Sequence, residues 1–203
     1  MRLESQVSVV DREKCIGCKT CAQICPVEAI RLEKANGKAK ALIDGKYCQA
    51  CGICVSRCPE KAIGMRLRSA PLEIGIDAMK ISDKEMHTIC EAAHMYPDQI
   101  VCYCRRVQVK EIVAAILAGA KTPEEVARMT GARTGCGVLC INGVIRLLRA
   151  SGLELKQAAG YQWYGNTISI WTLPDDIMKK FDEEFYLIRD RKAIDEVFPG
   201  GKK

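Results

Sequence analysis

Cysteine is the residue type most able to do chemistry in this chain, which has 13 cysteines among 203 residues. Usage this high is typical either of disulfide-linked secreted domains or of proteins that bind metals through thiolates. The first 30 residues contain neither a positively charged segment followed by an apolar one nor a cleavage site, which disfavours export. We therefore expect a reducing, cytoplasmic location and cysteines that bind metal.

Eight of the cysteines form an internal repeat in which the second copy follows the first at an offset of 33 residues. Each copy reads Cys-x2-Cys-x2-Cys-x3-Cys-Pro, so a short loop can wrap three thiolates around one iron–sulfur cubane while the fourth cysteine points away. The positions are Cys15, Cys18, Cys21 and Cys25, followed by Pro26, and Cys48, Cys51, Cys54 and Cys58, followed by Pro59. Tetrahedral zinc is the alternative, but zinc needs two Cys-x2-Cys pairs rather than three successive cysteines plus Cys-Pro.

Residues 1–68 resemble the bacterial-type ferredoxins that carry two [4Fe-4S] clusters, because all eight cysteines and both prolines are present. The resemblance implies a pseudo-twofold fold in which the two halves exchange their fourth ligand. One cluster would then be bound by Cys15, Cys18, Cys21 and Cys58. The other would be bound by Cys25, Cys48, Cys51 and Cys54.

The segments around these cysteines predict the structure that surrounds the clusters. Asn36-Gly37 lies between residues 29–32 and 39–43, a pattern that predicts a β-hairpin. Six aliphatic residues near the cysteines are expected to form an apolar shell that limits water: Ile16, Ile24, Ile30, Ile53, Val55 and Ile63. Each half is too small to bury a full core, so cluster binding must contribute much of its folding free energy.

A second group of cysteines follows a linker-like stretch near residues 66–75 and consists of two close pairs, Cys102-x-Cys104 and Cys136-x3-Cys140, separated by 31 residues. Between the pairs, residues 109–117 predict an amphipathic helix, and Thr122-Pro-Glu-Glu is a capping box that opens a second helix through about Met129. A third helix is predicted from Cys136 to Gly152.

Residues 100–150 resemble the helical [2Fe-2S] domain of bacterioferritin-associated ferredoxins, which also occurs in nitrite reductases and multi-subunit amino-acid dehydrogenases. The resemblance implies a [2Fe-2S] cluster bound by Cys102, Cys104, Cys136 and Cys140. The family has Cys-x2-Cys at the second pair, which would place the last ligand at Leu139. If a helix begins at Cys136, positions i and i+4 share a face and Cys140 still points inward. Zinc binding and a cofactor-free remnant stay open as alternatives.

Net charge and missing motifs exclude several other functions. The formal charge is +6 with neutral thiols, but three cluster sites of about −2 each would bring the loaded protein near zero, which disfavours nucleic-acid binding. The sequence has no apolar stretch long enough for a membrane span. It also lacks a dinucleotide fingerprint, a Walker A motif and a nucleophile elbow, so no flavin, nicotinamide or nucleotide site of its own is predicted.

Two further patterns fit either a functional or a packing role. His87, Cys90 and His94 would share one face of a predicted helix over residues 83–96, either to bind an extra metal or to pack against the core. The last 43 residues contain 8 of the 11 aromatics, with a strand-like run at 167–171. A helix is predicted to follow Pro174, with an apolar stripe of Ile177, Phe181, Phe185 and Ile188 that either docks a partner or packs on the chain itself.

We predict an α+β protein in four parts. They are a two-cluster ferredoxin domain (1–68), a linker with a connecting helix (69–98), an all-α [2Fe-2S] domain (99–152) and an aromatic-rich strand-plus-helix extension for partner docking (153–203). The predicted role is an electron-transfer subunit, with no catalytic residues of its own, that relays single electrons between a catalytic, flavin-dependent dehydrogenase subunit and another carrier. The alternatives are a redox or iron sensor and an enzyme acting at a cluster with an open iron site.

Overall fold

The computed structural model describes residues 1–35, 37–155 and 169–197. Its first part consists of two cysteine-bearing segments enclosed by a long strand pair. The elements are β1 (Arg2–Val10), α1 (Thr20–Gln23), β2 (Ile30–Ala35), β3 (Lys38–Ile43), α2 (Ile53–Arg57) and β4 (Ile63–Ile74). Strands β1 and β4 pair antiparallel, and so do β2 and β3, which form the predicted hairpin.

The sequence repeat is also a repeat of backbone conformation. Left-handed residues recur at the same offset of 33 in the two copies: Lys19 (φ 70°) with Gly52 (φ 73°), and Glu28 (φ 49°) with Lys61 (φ 49°). Lys19 and Gly52 are the residues that precede α1 and α2. The chain therefore enters each short helix, and leaves each Cys-Pro turn, in the same way in both halves.

The second part is mainly helical and contains the larger core. Its elements are α3 (Asp83–Ala92), β5 (Ile100–Cys102), β6 (Val107–Gln108), α4 (Val109–Leu117), α5 (Pro123–Thr130) and α6 (Ile141–Ala150). The predicted helix at 109–117 is confirmed, as is the capping box in which the Thr122 hydroxyl accepts from the Glu125 N–H. Buried side chains from all four helices pack together, with Val113, Val126 and Leu148 fully buried.

Three sequence-based expectations about this region were wrong. The second domain is not all-α, because Ile100–Cys102 pairs with Val107–Gln108 across a turn in which Arg106 adopts φ 52°. Residues 69–74 are not linker, because β4 continues to Ile74, which pairs with Arg2 beyond a bulge whose extra residues lie in β4. The third helix does not begin at Cys136; it begins at Ile141, because Gly137 is left-handed (φ 74°) and interrupts helical geometry.

The connecting helix is also shorter than predicted. Helix α3 ends at Ala92, and His94 lies beyond it in a left-handed conformation (φ 52°). His87, Cys90 and His94 therefore do not form one helical stripe. His87 is exposed, whereas Cys90 is buried in the helical core.

The described part of the C-terminal extension is a helical hairpin. Helix α7 (Asp175–Phe185) follows Pro174 as predicted, and α8 (Leu187–Val197) packs back against it. The predicted stripe is wrong in its last member, because α7 ends in left-handed Tyr186 and Ile188 belongs to α8. Residues 167 and 168 of the predicted strand lie outside the described residues, and residues 170–172 form a turn.

Candidate cluster-binding sites

The first site is a small cavity between the two halves of the repeat. Three of its cysteines come from the first copy and the fourth from the second copy: Cys15, Cys18, Cys21 and Cys58. Aliphatic side chains, among them Ile16, Leu32 and Ile63, complete the wall. The structure thus brings together the four residues that the ferredoxin resemblance grouped, although they are spread over 44 positions of the sequence.

The second site is a small cavity with the reciprocal set of cysteines. Its thiols are Cys25, Cys48, Cys51 and Cys54. Val27 and Ile30 line the apolar part of the wall, and Ser8 and Gln49 are its buried polar residues. Cys18 at the first site is exposed, whereas Cys25, Cys48 and Cys54 are buried, so the second site is the more enclosed of the two.

Backbone N–H groups point at the cysteine sulfurs in both cavities. The N–H of Ala29 donates to Cys25 Sγ and the N–H of Ala62 donates to Cys58 Sγ, each at 3.3 Å and each four residues after its cysteine. The N–H of Ser8 donates to Cys48 Sγ at 3.4 Å. Such donors stabilise negative charge on sulfur and are one determinant of cluster reduction potential.

Burial holds several of the free thiols in their neutral form. It raises the pKa of Cys21 and that of Cys51 to about 11 in each case, and it also raises the pKa of Cys25 and Cys54. Exposed Cys18 differs, because hydrogen bonds from Thr20 lower its pKa. Cysteines bind metal as thiolates, so loading these cavities must release protons.

The third site joins the two distant cysteine pairs of the helical domain. Cys102 and Cys140 are buried and their side chains hydrogen-bond to each other, while Cys104 and Cys136 are exposed and form a second such pair. The bond to Cys140, supported by the N–H groups of Arg133 and Arg105, lowers the pKa of Cys102 to about 6, and the pKa of Cys140 is raised correspondingly. The two pairs lie near each other, because the charge of Cys102 acts on Cys136.

Cys140 reaches this group although it is one residue later than in the resembled family. It is 2% exposed, whereas Leu139, at the position where the family has its last ligand, is 77% exposed. The sequence predicted that Cys136 and Cys140 share one face of a helix. Instead, Cys140 is the residue directly before α6, and Cys136 lies in the loop that precedes it. The extra residue is accommodated by this loop, where Gly137 is left-handed.

Gly135 and Arg133 shape the third site in ways that residue type alone does not reveal. A Cβ built on Gly135 would overlap the Cβ of Cys104 and lie 3.1 Å from its Sγ, so glycine permits the two loops to approach. Arg133 adopts φ 69°, and its backbone N–H faces both Cys102 and Cys140. Its side chain forms a buried ion pair with Glu124 at 2.8 Å, which fixes this loop to α5.

Arg105 makes the side-chain contacts that connect the loops of the third site. Its guanidinium donates to Thr134 Oγ1 at 2.8 Å and pairs with Glu4 at 3.1 Å. Both partners of that ion pair are mostly buried. Arg105 therefore ties the two loops of the third site together and links them to strand β1 of the first part of the chain.

Two family models match the chain over the parts that contain these sites. Residues 14–62 match a 4Fe-4S dicluster domain, and residues 100–150 match a BFD-like [2Fe-2S] binding domain. The chain joins these two iron–sulfur domains. Both resemblances are thereby confirmed, as are the cofactors, two [4Fe-4S] clusters and one [2Fe-2S] cluster. No curated protein matches the sequence.

The residues present fit these cofactors. The dicluster domain has two cavities, each lined by four thiols, with aliphatic walls and N–H donors to sulfur. Among the described residues, no group of three or more His, Cys, Asp or Glu side chains is placed so that it could hold a single metal ion. In the same described ranges, none of the helices has the length and apolar character needed to span a bilayer.

Proposed function

We propose that this chain is an electron-transfer subunit that relays single electrons between a catalytic, flavin-containing subunit and another carrier. The observation that carries the proposal is the presence of three separate four-cysteine sites in one chain of 203 residues. Iron–sulfur clusters exchange one electron at a time, and the described residues show no competing substrate site built from catalytic side chains. The iron–sulfur domains support the redox role, and the flavin partner rests on the resemblance to dehydrogenase-associated domains.

We assign the ligands according to the cysteines that share a cavity or a contact. The first site takes Cys15, Cys18, Cys21 and Cys58, the second takes Cys25, Cys48, Cys51 and Cys54, and the third takes Cys102, Cys104, Cys136 and Cys140. The assignment implies a pseudo-twofold dicluster domain, which the recurring φ angles at an offset of 33 support. We place the end of this domain at Ile74 rather than at residue 68 because β4 ends there.

The protein's own groups would tune and protect the clusters. Aliphatic side chains line the first two sites, and N–H donors to Cys25, Cys48 and Cys58 favour the charged form of the sulfurs. Exposed cysteines at the first and third sites give outside partners a short approach. Thirteen free cysteines suit a reducing compartment, in keeping with a cytoplasmic location.

Anaerobic purification at native abundance tests this proposal. We expect about ten irons and ten sulfides per chain, reversible one-electron reduction of all three clusters, and a flavoprotein that co-purifies in a fixed ratio. A lone chain without a redox partner would contradict the subunit role. A chain with about eight irons would contradict the third cluster.

The exposure of Cys104 and Cys136 favours one second candidate, an iron or redox sensor. An accessible [2Fe-2S] site is open to oxidants, and its loss would change the loops that carry these cysteines. The two functions differ in cluster lability. A relay keeps its third cluster through repeated oxidation and reduction by mild reagents, whereas a sensor loses it and changes its affinity for a partner.

A further inference from the structure

The two iron–sulfur domains are docked against each other through residues that line the second site. Gln49, directly after Cys48, is 2% exposed, and its Nε2 donates to the carbonyl oxygens of Ala127 at 3.0 Å and Arg128 at 2.8 Å. Both carbonyls belong to the last turn of α5, where C=O groups run out of helical N–H donors; that of Ala127 also accepts from the N–H of Gly131, the residue that ends the helix. A side chain of the dicluster domain thus completes a helix of the [2Fe-2S] domain.

The orientation of this amide is set by its surroundings. Two backbone carbonyls can only accept, so the end of Gln49 that faces them must be the NH₂ group. Its Oε1 is buried and has no hydrogen-bond partner among the described residues. A buried polar group costs free energy unless it is hydrogen-bonded, so the two bonds donated by Nε2, and not Oε1, hold the amide in place.

Further contacts around Gln49 stabilise the same interface between the two domains. Ala127 of α5 is fully buried and packs in the core of the dicluster domain. Arg128 donates to the Val27 carbonyl at 2.8 Å and pairs with Glu28 at 2.6 Å, and its guanidinium lies 4.6 Å from the ring centroid of Tyr47. Val27 lines the second site, so this group also contacts the wall of that cavity.

The loops that carry the ligands of the second and third sites lie next to each other. Ile53 stands between Cys51 and Cys54 and lines the second site. A Cβ built on Gly137, the residue after Cys136, would lie 3.9 Å from Ile53 Cδ1, which is ordinary van der Waals distance. One apolar side chain therefore separates a cysteine-bearing loop of the dicluster domain from a cysteine-bearing loop of the [2Fe-2S] domain.

We infer that Gln49 is a positioning residue that holds the second site against the third, so that electrons crossing between the domains pass between these two sites. The inference rests on the proposed electron-transfer function and adds the order in which electrons pass the three sites. The second site lies in the middle, and the first site, with exposed Cys18, is at one end of the sequence of transfers. Each crossing oxidises one cluster and reduces the other by one electron, and no bond or proton moves.

The test is magnetic and uses the full chain in the reduced state. Nearby paramagnetic clusters broaden one another's electron paramagnetic resonance signals and shorten their relaxation times. In the wild-type chain we expect such an interaction between the [2Fe-2S] signal and a [4Fe-4S] signal. In Gln49→Leu we expect about ten irons and all individual signals, but loss of the interaction and faster hydrogen exchange in α5. Gln23→Leu, at an exposed glutamine, should behave as wild type.

The possible outcomes are distinct. A wild-type chain without the three clusters would contradict the proposed function itself. A wild-type chain with three clusters but no interaction, or a Gln49→Leu chain that retains the full interaction, would overturn the positioning role alone. If Gln49→Leu loses iron, the same measurement is made on Arg128→Gln. This variant loosens the same interface without altering a residue that lines the cavity. There, an interaction of unchanged strength with full iron content would overturn the inference.

Discussion

At the scale of single residues, cluster sites are built from two kinds of group that a sequence reveals unequally. Cysteine ligands are visible because binding demands one residue type at fixed spacing, and the structure brings the members of the two predicted [4Fe-4S] sets together. The donors to their sulfurs are invisible, since every residue except proline has an N–H. Ser8 and Arg133 supply such donors, and nothing in their residue types indicates it.

Cys140→Ala tests the least regular ligand position. Because Cys140 is buried against Cys102 whereas Leu139 is exposed, we expect the alanine variant to lose the [2Fe-2S] cluster and fall from about ten irons to about eight. Leu139→Ala is the matched control and should keep about ten. Iron analysis with electron paramagnetic resonance distinguishes them. Retention of the [2Fe-2S] signal in Cys140→Ala would remove Cys140 from the ligand set.

Gly135→Ala should damage the same site by steric overlap alone. The added methyl group would overlap the Cys104 side chain, so the two ligand loops must separate. We expect most chains to lack the [2Fe-2S] cluster while both [4Fe-4S] clusters are retained. Gly64→Ala is the control, because a Cβ there meets nothing within 4 Å. Normal [2Fe-2S] absorbance in Gly135→Ala would show that the loops adapt.

At the scale of secondary structure, the elements that could be predicted are those fixed by interactions between residues close together in the sequence. The helix at 109–117 and the capping box at Thr122 were predictable from apolar periodicity and short-range hydrogen bonding. The third helix was placed too early because its start depends on a left-handed glycine, Gly137, inside the cysteine loop. The last residues of β4 were predicted to be linker because the strand that pairs with them, β1, lies some 70 positions away in the sequence.

An aromatic contact attaches the C-terminal hairpin to the helical domain. The rings of Trp171 and His94 stack with centroids 3.8 Å apart, and Trp171 Nε1 donates to Asp195 at 3.0 Å. The guanidinium of Arg146 lies 5.3 Å from the Trp171 ring centroid. At this contact the extension packs on the chain itself, while Phe185 and Tyr186 stay exposed at its far end.

This attachment should weaken in acid. Burial, reinforced by the positive charge of Arg146, lowers the pKa of His94 below its ordinary value of 6.5, while Asp195 acts weakly in the opposite direction. The folded state thus prefers neutral His94, so the stabilisation is complete above pH 6.5 and declines as pH falls below it. Hydrogen exchange of α7 and α8, corrected for intrinsic rates, should accelerate between pH 7.5 and 5.5.

His94→Phe separates this effect from general acid destabilisation. Phenylalanine keeps a ring to stack on Trp171 but cannot be protonated, so exchange in α7 and α8 should then vary little with pH. Equal acceleration in wild type and His94→Phe would mean that another group controls the docking. In that case Asp195, which accepts from Trp171, would be the next group to substitute.

At the scale of the whole molecule, the two domains differ in what stabilises them. The core of the [2Fe-2S] domain is mostly aliphatic and includes the fully buried Val107, Ile112 and Leu147. The core of the dicluster domain depends on thiols, because four of its buried members are Cys21, Cys25, Cys48 and Cys54. Small metal-binding domains of this kind gain much of their folding free energy from ligation.

Removing iron should therefore unfold the chain unevenly. After anaerobic chelation we expect hydrogen-exchange protection to be lost across β1 and β4 while α4 and α6 retain most of theirs, because an aliphatic core survives without metal. The Cys140→Ala chain, with about eight irons, is the control and should keep protection in β1 and β4. Persistent protection of β1 and β4 without iron would show instead that docking through Gln49 and Arg128 stabilises the dicluster domain by itself.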